Sequence, residues 1–366
     1  LRLFPINSNL NNEKYRCAMT DDNSEKINYT IFIPTINRSA YLRRLLKYYN
    51  SYGKEFNIIV ADSSSDDVKK RNENEITTFK KMNIIHIDKY PTTLNPYHKF
   101  ADMVKYCSTE YAVFCADDDF IVPNGIEKSV EFLENNSDFT CAHGNYIEFK
   151  LDATKKKFYW RPIYPYESIL SSDAKQRFQT HLEKYYQTLY AVHRKDFLNM
   201  IFEEFSKSSV DPMQFGELLP DMLALIYGKM KRLEVFYAAR ATASRVAYWP
   251  TIFEYMDRGQ YEEEYIKFKN CISTHLSKNS NVEEHEAKQI IDNSMQKYLK
   301  IAKKEDSFGK IGTLIKKAHL PNNIDNYIKN FYRKIKHPHE YRPWMTKEPE
   351  NDIEDFNMIR TVVLKG

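Results

Sequence analysis

Four short apolar runs, each handing over to a polar stretch of helical period, constrain this chain more than any other feature. Tyr29-Thr-Ile-Phe-Ile-Pro34 is β-branched and aromatic and ends at a proline, which suits a buried strand. Asn37 or Ser39 is placed to cap a helix, and Tyr41, Leu42, Leu45, Leu46 and Tyr49 recur at its period. Phe56-Asn-Ile-Ile-Val-Ala61 forms a second strand, followed by Asp62, a serine-aspartate loop and a polar helix over 66–82. Asn83-Ile-Ile-His-Ile87 is a third strand, with a helix over 96–107, and Tyr111-Ala-Val-Phe-Cys115 a fourth, ending in Asp117, Asp118 and Asp119. A helix over 125–135 and a strand over 139–149 follow. Such alternation predicts an α/β, Rossmann-like, mainly parallel sheet with helices on both faces. Ligands of these sheets bind at the carboxyl ends of the strands. Two of those ends carry acids: Asp62 with Asp66 and Asp67, and the run Asp117 to Asp119.

Outside that unit, residues 1–28 are Asn-rich and unpatterned and read as an irregular arm. The sheet-forming unit extends over 29–248, with a helix near 173–185, a strand near 188–193, a helix to about 205 and an apolar helix ending at Gly228. Residues 249–366 read as a mainly helical region, in which Ile324, Tyr327, Ile328, Phe331, Tyr332 and Ile335 form an apolar stripe on a basic background. That stripe suits peripheral contact with an anionic membrane, packing on the rest of the chain, or a homo-oligomer. With 42% hydrophobic residues the chain can bury a core, which excludes global disorder. Its 9 glycines include no G-x-G, which excludes the dinucleotide fingerprint and the Walker A loop. A net charge of +4 is no nucleic-acid footprint. No stretch is apolar enough for a transmembrane helix, and the start lacks a signal-peptide layout, so the expected location is cytoplasmic or at the inner membrane face. The 5 cysteines form no C-x-x-C, which predicts reduced thiols and no structural zinc.

Three adjacent carboxylates repel one another unless a cation joins them. A hard divalent ion, Mg²⁺ or Mn²⁺, is the natural neutraliser, and it takes one or two carboxylates plus substrate phosphates. A solvated acidic turn capping the helix after Pro123 accounts for the same spacing equally well.

Taken together, Ile31-Phe-Ile-Pro-Thr-Ile-Asn-Arg38, Val60-Ala-Asp62-Ser-Ser-Ser-Asp66 and Phe114-Cys-Ala-Asp117-Asp118-Asp119-Phe-Ile-Val-Pro123 resemble, in order and distance, the motifs of family-two inverting nucleotide-sugar glycosyltransferases of the GT-A fold. The resemblance covers roughly 29–245. It implies that Pro34 and Thr35 line a nucleotide pocket and that Arg38 reaches a phosphate or the base, a surface arginine being the other reading. It further implies that Asp62 accepts a hydrogen bond from the base, Asp117 contacts the ribose and Asp118 holds the metal, with Asp119 a second metal contact or a surface acid. The family places two acids around one spacer, so three in a row leave the register open. For the base that takes the acceptor proton, the chain offers Glu217 and Asp221 in Gly216-Glu217-Leu-Leu-Pro220-Asp221. Pro220 suits the first helical turn, which would put Glu217 before the helix and Asp221 beside its N-terminus, held ionised by the dipole. The implied reaction moves a sugar, with inversion, from a nucleoside-diphosphate donor, UDP-sugar foremost, to a hydroxyl of a glycan, lipid-linked sugar or protein.

Weaker signals carry less. His86 in its strand and His143 read as packing residues. His98, Lys99, Arg240 and Arg245 are candidates for the donor side, and His337-Pro-His339-Glu340 reads as a polar loop. A nucleotidyltransferase would want a glycine- or lysine-rich triphosphate loop near the first strand, which is missing. A non-catalytic carbohydrate-binding or scaffold subunit would not need the acids at 62, 117, 118 and 221.

Overall fold

The computed structural model describes residues 27–163, 167–211, 215–242, 252–317 and 343–365. β1 (Tyr29–Thr35), β2 (Asn57–Asp62), β3 (Asn83–Ile87) and β4 (Tyr111–Phe114) lie in the order β3-β2-β1-β4, all parallel. The sheet continues through β8 (Val192–Arg194), β6 (Phe139–Asp152), β9 (Lys229–Ala241) and β5 (Phe120–Ile121), and β7 (Lys157–Ile163) pairs with β6 as a hairpin. β8 runs antiparallel between β4 and β6, while β6 and β9 are parallel. β1, β2 and β4 are apolar on both sides because helices cover both faces, while β3 at the edge is partly exposed. Ile31 and Ile33 enter one core with Leu42, Leu45 and Leu46 of α1 (Ser39–Asn50) and Ile126 and Leu133 of α4 (Pro123–Glu134). Phe32, between them in the pleat, enters the other core. That second core is built on α3 (Pro96–Met103), α5 (Ala174–Glu183), α6 (Lys195–Ser208) and α7 (Phe215–Tyr227). The predicted α/β sandwich is therefore present, and α2 (Asp66–Ile76) completes the β2–β3 crossover, ending short of the expected 82.

The later helices return to this unit. After α8 (Ile252–Asp257), α9 (Tyr261–Ser280) stacks Phe268 on Phe215 of α7, ring centroids 4.9 Å apart, and α10 (Glu284–Lys317) backs α9 and α5. α11 (Ile353–Lys365) buries Phe356, Ile359 and Val363 in the first core. Asp355 there accepts a 2.7 Å hydrogen bond from the Tyr52 hydroxyl. No described helix is long and apolar enough to cross a membrane. The stripe at 321–336 lies outside the described residues, as do Arg245 and residues 337–340.

Two local expectations change. The α1 N-cap is Arg38, without a side-chain cap bond, and not Asn37 or Ser39. Asn37 instead takes a left-handed φ of 53° and ties two loops together: its N–H donates to Ser64 Oγ (2.7 Å) and its Oδ1 accepts from Ser65 N (2.9 Å). β5, β7 and β9 have no counterpart in the sequence reading. At the β6–β9 register shift, a Cβ on Gly144 would meet the Val235 carbonyl oxygen head-on and sit 2.8 Å from Val235 Cγ1. Gly144→Ala is therefore expected to cost roughly 1–3 kcal/mol of stability, read as a lower urea midpoint.

Candidate active site

The carboxyl ends of β1, β2 and β4 meet at one edge. Thr35 stands opposite Asp62 in the β1–β2 ladder, and Pro34, half-buried, opposite Ala61. The Thr35 hydroxyl donates to Asp117 Oδ2 at 2.7 Å. Lys99, from α3, is 3% exposed and donates to Thr35 O (3.2 Å) and Ser63 Oγ (2.9 Å). Burial pulls its ammonium down to about 8, against the fields of Asp62 and Asp117. Asp62 itself is wholly enclosed. Its Oδ1 accepts from Ser64 N (2.8 Å) and its Oδ2 from Asn72 (2.7 Å), with His86 Nε2 at 3.3 Å. Burial would raise this carboxylate, but bonds from His86, Ser64 and Asn72 hold it at about 2. His86 is thus a partner of Asp62 and not a core residue: it is half-buried, on the sheet's edge strand.

The three acids after β4 diverge. Asp117 Oδ1 lies 3.3 Å from Arg38 Nη1 and Asp118 Oδ2 lies 2.5 Å from Arg38 Nη2, so one guanidinium spans both. Arg44 holds the Asp118 carbonyl at 2.9 Å. Asp119 turns the other way, accepting from Ala241 N (2.7 Å) and Arg240 Nε (3.2 Å) at the end of β9. It is 4% exposed, which removes the surface-acid reading. Arg38 likewise is no surface arginine; it lies across the acidic corner and 4.4 Å above the Tyr41 ring. Burial pushes Asp117 up to about 7 and raises Asp119 as well. As a cation seat the acids are unequal. Both Asp119 oxygens are committed to β9, while Asp117 and Asp118 already share a positive group. That pair fits a hard divalent ion that draws its other ligands from phosphate and water. Among the described residues the three acids do not converge into a three-ligand cluster.

The second acid pair sits on α7, with a different geometry from the expected one. The helix begins at Phe215, so Glu217 is in its first turn and Pro220 and Asp221 are inside it. The expectation of a dipole-stabilised, ionised Asp221 fails for that reason. Asp221 is 2% exposed, and burial, reinforced by Glu217, pushes it up to about 8; burial raises Glu217 too. The Tyr185 hydroxyl bridges the pair, 2.8 Å from Glu217 Oε1 and 2.9 Å from Asp221 Oδ2. Thr188 Oγ1 donates to Asp221 Oδ1 at 2.7 Å and Thr188 N lies 3.2 Å from both oxygens. Glu217 is half-buried, the less enclosed member of the pair. The far end of α7 is pinned by Arg177 of α5, which donates to Leu225 O (2.7 Å), Ile226 O (2.6 Å), and Ser171 O and Ser172 O (both 2.9 Å).

One cation connects the two acidic groups. Arg240, paired with Asp119, also acts on Glu217 and lies 4.5 Å over the Tyr190 ring. Tyr97 feels both Glu217 and Asp221 and packs against Gly216, where a Cβ would come within 2.7 Å of its ring. Thr35, Arg38, Asp62, Asp117, Asp118 and Asp119 are thus brought together, with Glu217 and Asp221 coupled to them through Arg240. Sequence reasoning missed Tyr97, Tyr185 and Thr188 and gave Lys99 little weight. A tyrosine among 27 carries no local signal. His143 does pack: it is buried, with Nδ1 2.9 Å from Gly144 O and Nε2 3.1 Å from the Tyr186 hydroxyl.

Residues 30–202 match the family model described as Glycosyl transferase family 2, the family whose motifs the sequence resembles. No curated protein matches it in sequence. Similar solved structures include S. aureus TarS 1-349 in complex with UDP-GlcNAc, at 13% identity and TM-score 0.47, covering 92% of this chain and 90% of that one. S. aureus TarS in a longer form is 12% identical, at TM-score 0.46 and over 92% of this chain, but this chain covers only 55% of that one's length. The mannosyltransferase PcManGT from Pyrobaculum calidifontis, in complex with GDP-Man and Mn²⁺, is 12% identical at TM-score 0.41, covering 86% of this chain and 88% of that one.

Proposed function

We propose that this glycosyltransferase moves a sugar from a nucleoside-diphosphate donor, a UDP-sugar, to a hydroxyl of a glycan, lipid-linked sugar or protein, with inversion at the anomeric carbon. The observation that carries this reading is the convergence of the β1, β2 and β4 ends, with Asp117 and Asp118 on Arg38, beside a buried carboxyl pair on α7. Asp62 fixes the Ser63–Ser65 turn against which the base docks. Pro34 and Thr35 form the neighbouring wall, and Asp117 faces the ribose. Asp118, with Asp117 beside it, is the seat for Mg²⁺ or Mn²⁺. When bound, such an ion would supply charge compensation for the departing diphosphate. Asp119 serves as a positioning residue, joining β9 and Arg240 to the site.

Glu217 is the base. It is the less enclosed acid of the pair, and its raised pKa brings it toward the range in which a carboxylate accepts a proton effectively. Asp221, enclosed by Thr188 and Tyr185, orients it and shares a proton with it. The hydroxyl attacks the anomeric carbon from the face opposite the diphosphate as Glu217 takes its proton, so a single displacement inverts the centre. The test is turnover of a panel of nucleotide sugars with Mn²⁺ and with chelator. Asp118→Ala is expected to abolish metal-stimulated turnover, losing several kcal/mol of transition-state stabilisation, on the order of an oxyanion interaction. Equal turnover by wild type and Asp118→Ala would overturn the metal assignment.

A further inference from the structure

Away from that site, α6 and α9 bring together three side chains with metal-ligand chemistry. Cys271 and His275 stand four residues apart on one face of α9, and Glu204 faces them from α6. Their ligand atoms all lie within 4.8 Å of one another, the one such trio among the described residues. The atoms are also oriented. His275 Nε2 sits 3.1 Å from Glu204 Oε2, close to the edge of about 3.3 Å that a tetrahedral ion with ligands at about 2.0–2.2 Å imposes. The other ring nitrogen, Nδ1, is engaged by the Tyr227 hydroxyl at 2.6 Å, the outer partner that a metal-bound imidazole keeps. Lys207 takes Glu204 Oε1 at 2.9 Å, which leaves Oε2 toward the histidine.

We propose that Glu204, Cys271 and His275 form a binding site for a thiophilic divalent ion, Zn²⁺, which clamps α6 to α9 behind the C-terminal end of α7. The set is thiolate, imidazole and carboxylate, a donor mixture suited to Zn²⁺ and foreign to Mg²⁺. Three protein ligands leave the fourth position to water. Binding replaces the Cys271 proton, which passes to solvent. Cysteine spacing along the chain pointed away from zinc because the ligands come from two helices, 67 positions apart between Glu204 and Cys271.

Co²⁺ titration of the chelator-stripped full chain, followed by absorption, tests this. A near-ultraviolet thiolate-to-cobalt charge-transfer band saturating at one ion per chain is expected, displaced by Zn²⁺. The band should vanish in Cys271→Ser, persist in Asp118→Ala, and require about 10- to 100-fold more Co²⁺ in Tyr227→Phe. Glu204→Gln, which keeps the side chain's shape, should weaken binding with circular dichroism unchanged. Absence of a thiolate band at saturating Co²⁺, or a band that survives Cys271→Ser, would overturn the proposal.

Discussion

Glu217→Gln is expected to lower sugar transfer by roughly 10²- to 10⁴-fold while leaving donor binding intact, because it removes proton acceptance and nothing that grips the nucleotide. Asp221→Asn should cost less, since Asp221 positions and does not touch the acceptor. The wild-type rate should rise with pH along a limb above the ordinary carboxylate range, as burial raises Glu217 and the protonated acid is inactive. The same burial has a stability consequence with a definite sign. Asp221 goes from its ordinary value of 3.8 to about 8 on folding, so the folded state binds the extra proton between those values. Its contribution to stability is fully present below about pH 4 and is lost as pH rises through about 8. Asp221→Asn should flatten that part of the stability–pH curve; an unchanged curve would show that the carboxyl is not protonated in the fold. If Asp221→Asn rather than Glu217→Gln abolished transfer, the two roles would be exchanged.

The second large effect concerns Arg177. Its guanidinium donates to four carbonyl oxygens, two of them at the C-terminal end of α7. Truncation to alanine leaves all four without that donor, at about 1–3 kcal/mol for each one that stays dry. A loss of about 4 kcal/mol is expected once water reaches part of the gap, a large share of a domain's net stability. Lysine cannot span four carbonyls in one plane and should rescue little. Because α7 carries Glu217 and Asp221, activity should fall at temperatures where the bulk fold survives. A urea midpoint within error of wild type would show that the carbonyls find other partners.

How far the sequence reveals this molecule depends on what each element is packed against. β1, β2 and β4 are legible because strands covered on both faces become continuous apolar runs, and β3, the partly exposed edge strand, still matches its expected bounds at both ends. β9 is illegible for the opposite reason: Lys229, Lys231, Arg232 and Glu234 interrupt its apolar residues along a partly exposed stretch, and only pairing with β6 makes it a strand. Ala241 was hidden with it, and Arg240, expected on the donor side, gave no sign of its bond to Asp119. α7 misled through Pro220. A proline reads as a first-turn residue, yet Phe215 and Leu219 are wholly buried ahead of it and extend the helix by five residues on the N-terminal side. The acids themselves were visible as residues. Their differing commitments, Asp117 and Asp118 to Arg38 and Asp119 to β9, depend on contacts across 79 to 122 positions and have no local signature.

One physical claim is central: the acids at the β2 and β4 ends, beside Thr35 and Arg38 after β1 and with a divalent ion, form a seat for a nucleoside diphosphate linked to a sugar. Calorimetric titration of the full chain with UDP-sugars in Mn²⁺ tests it most directly. One donor should bind at a single site per chain, with affinity collapsing in Asp118→Ala and on removal of Mn²⁺. Binding that is indifferent to both, or no binding by any nucleotide sugar, would contradict it.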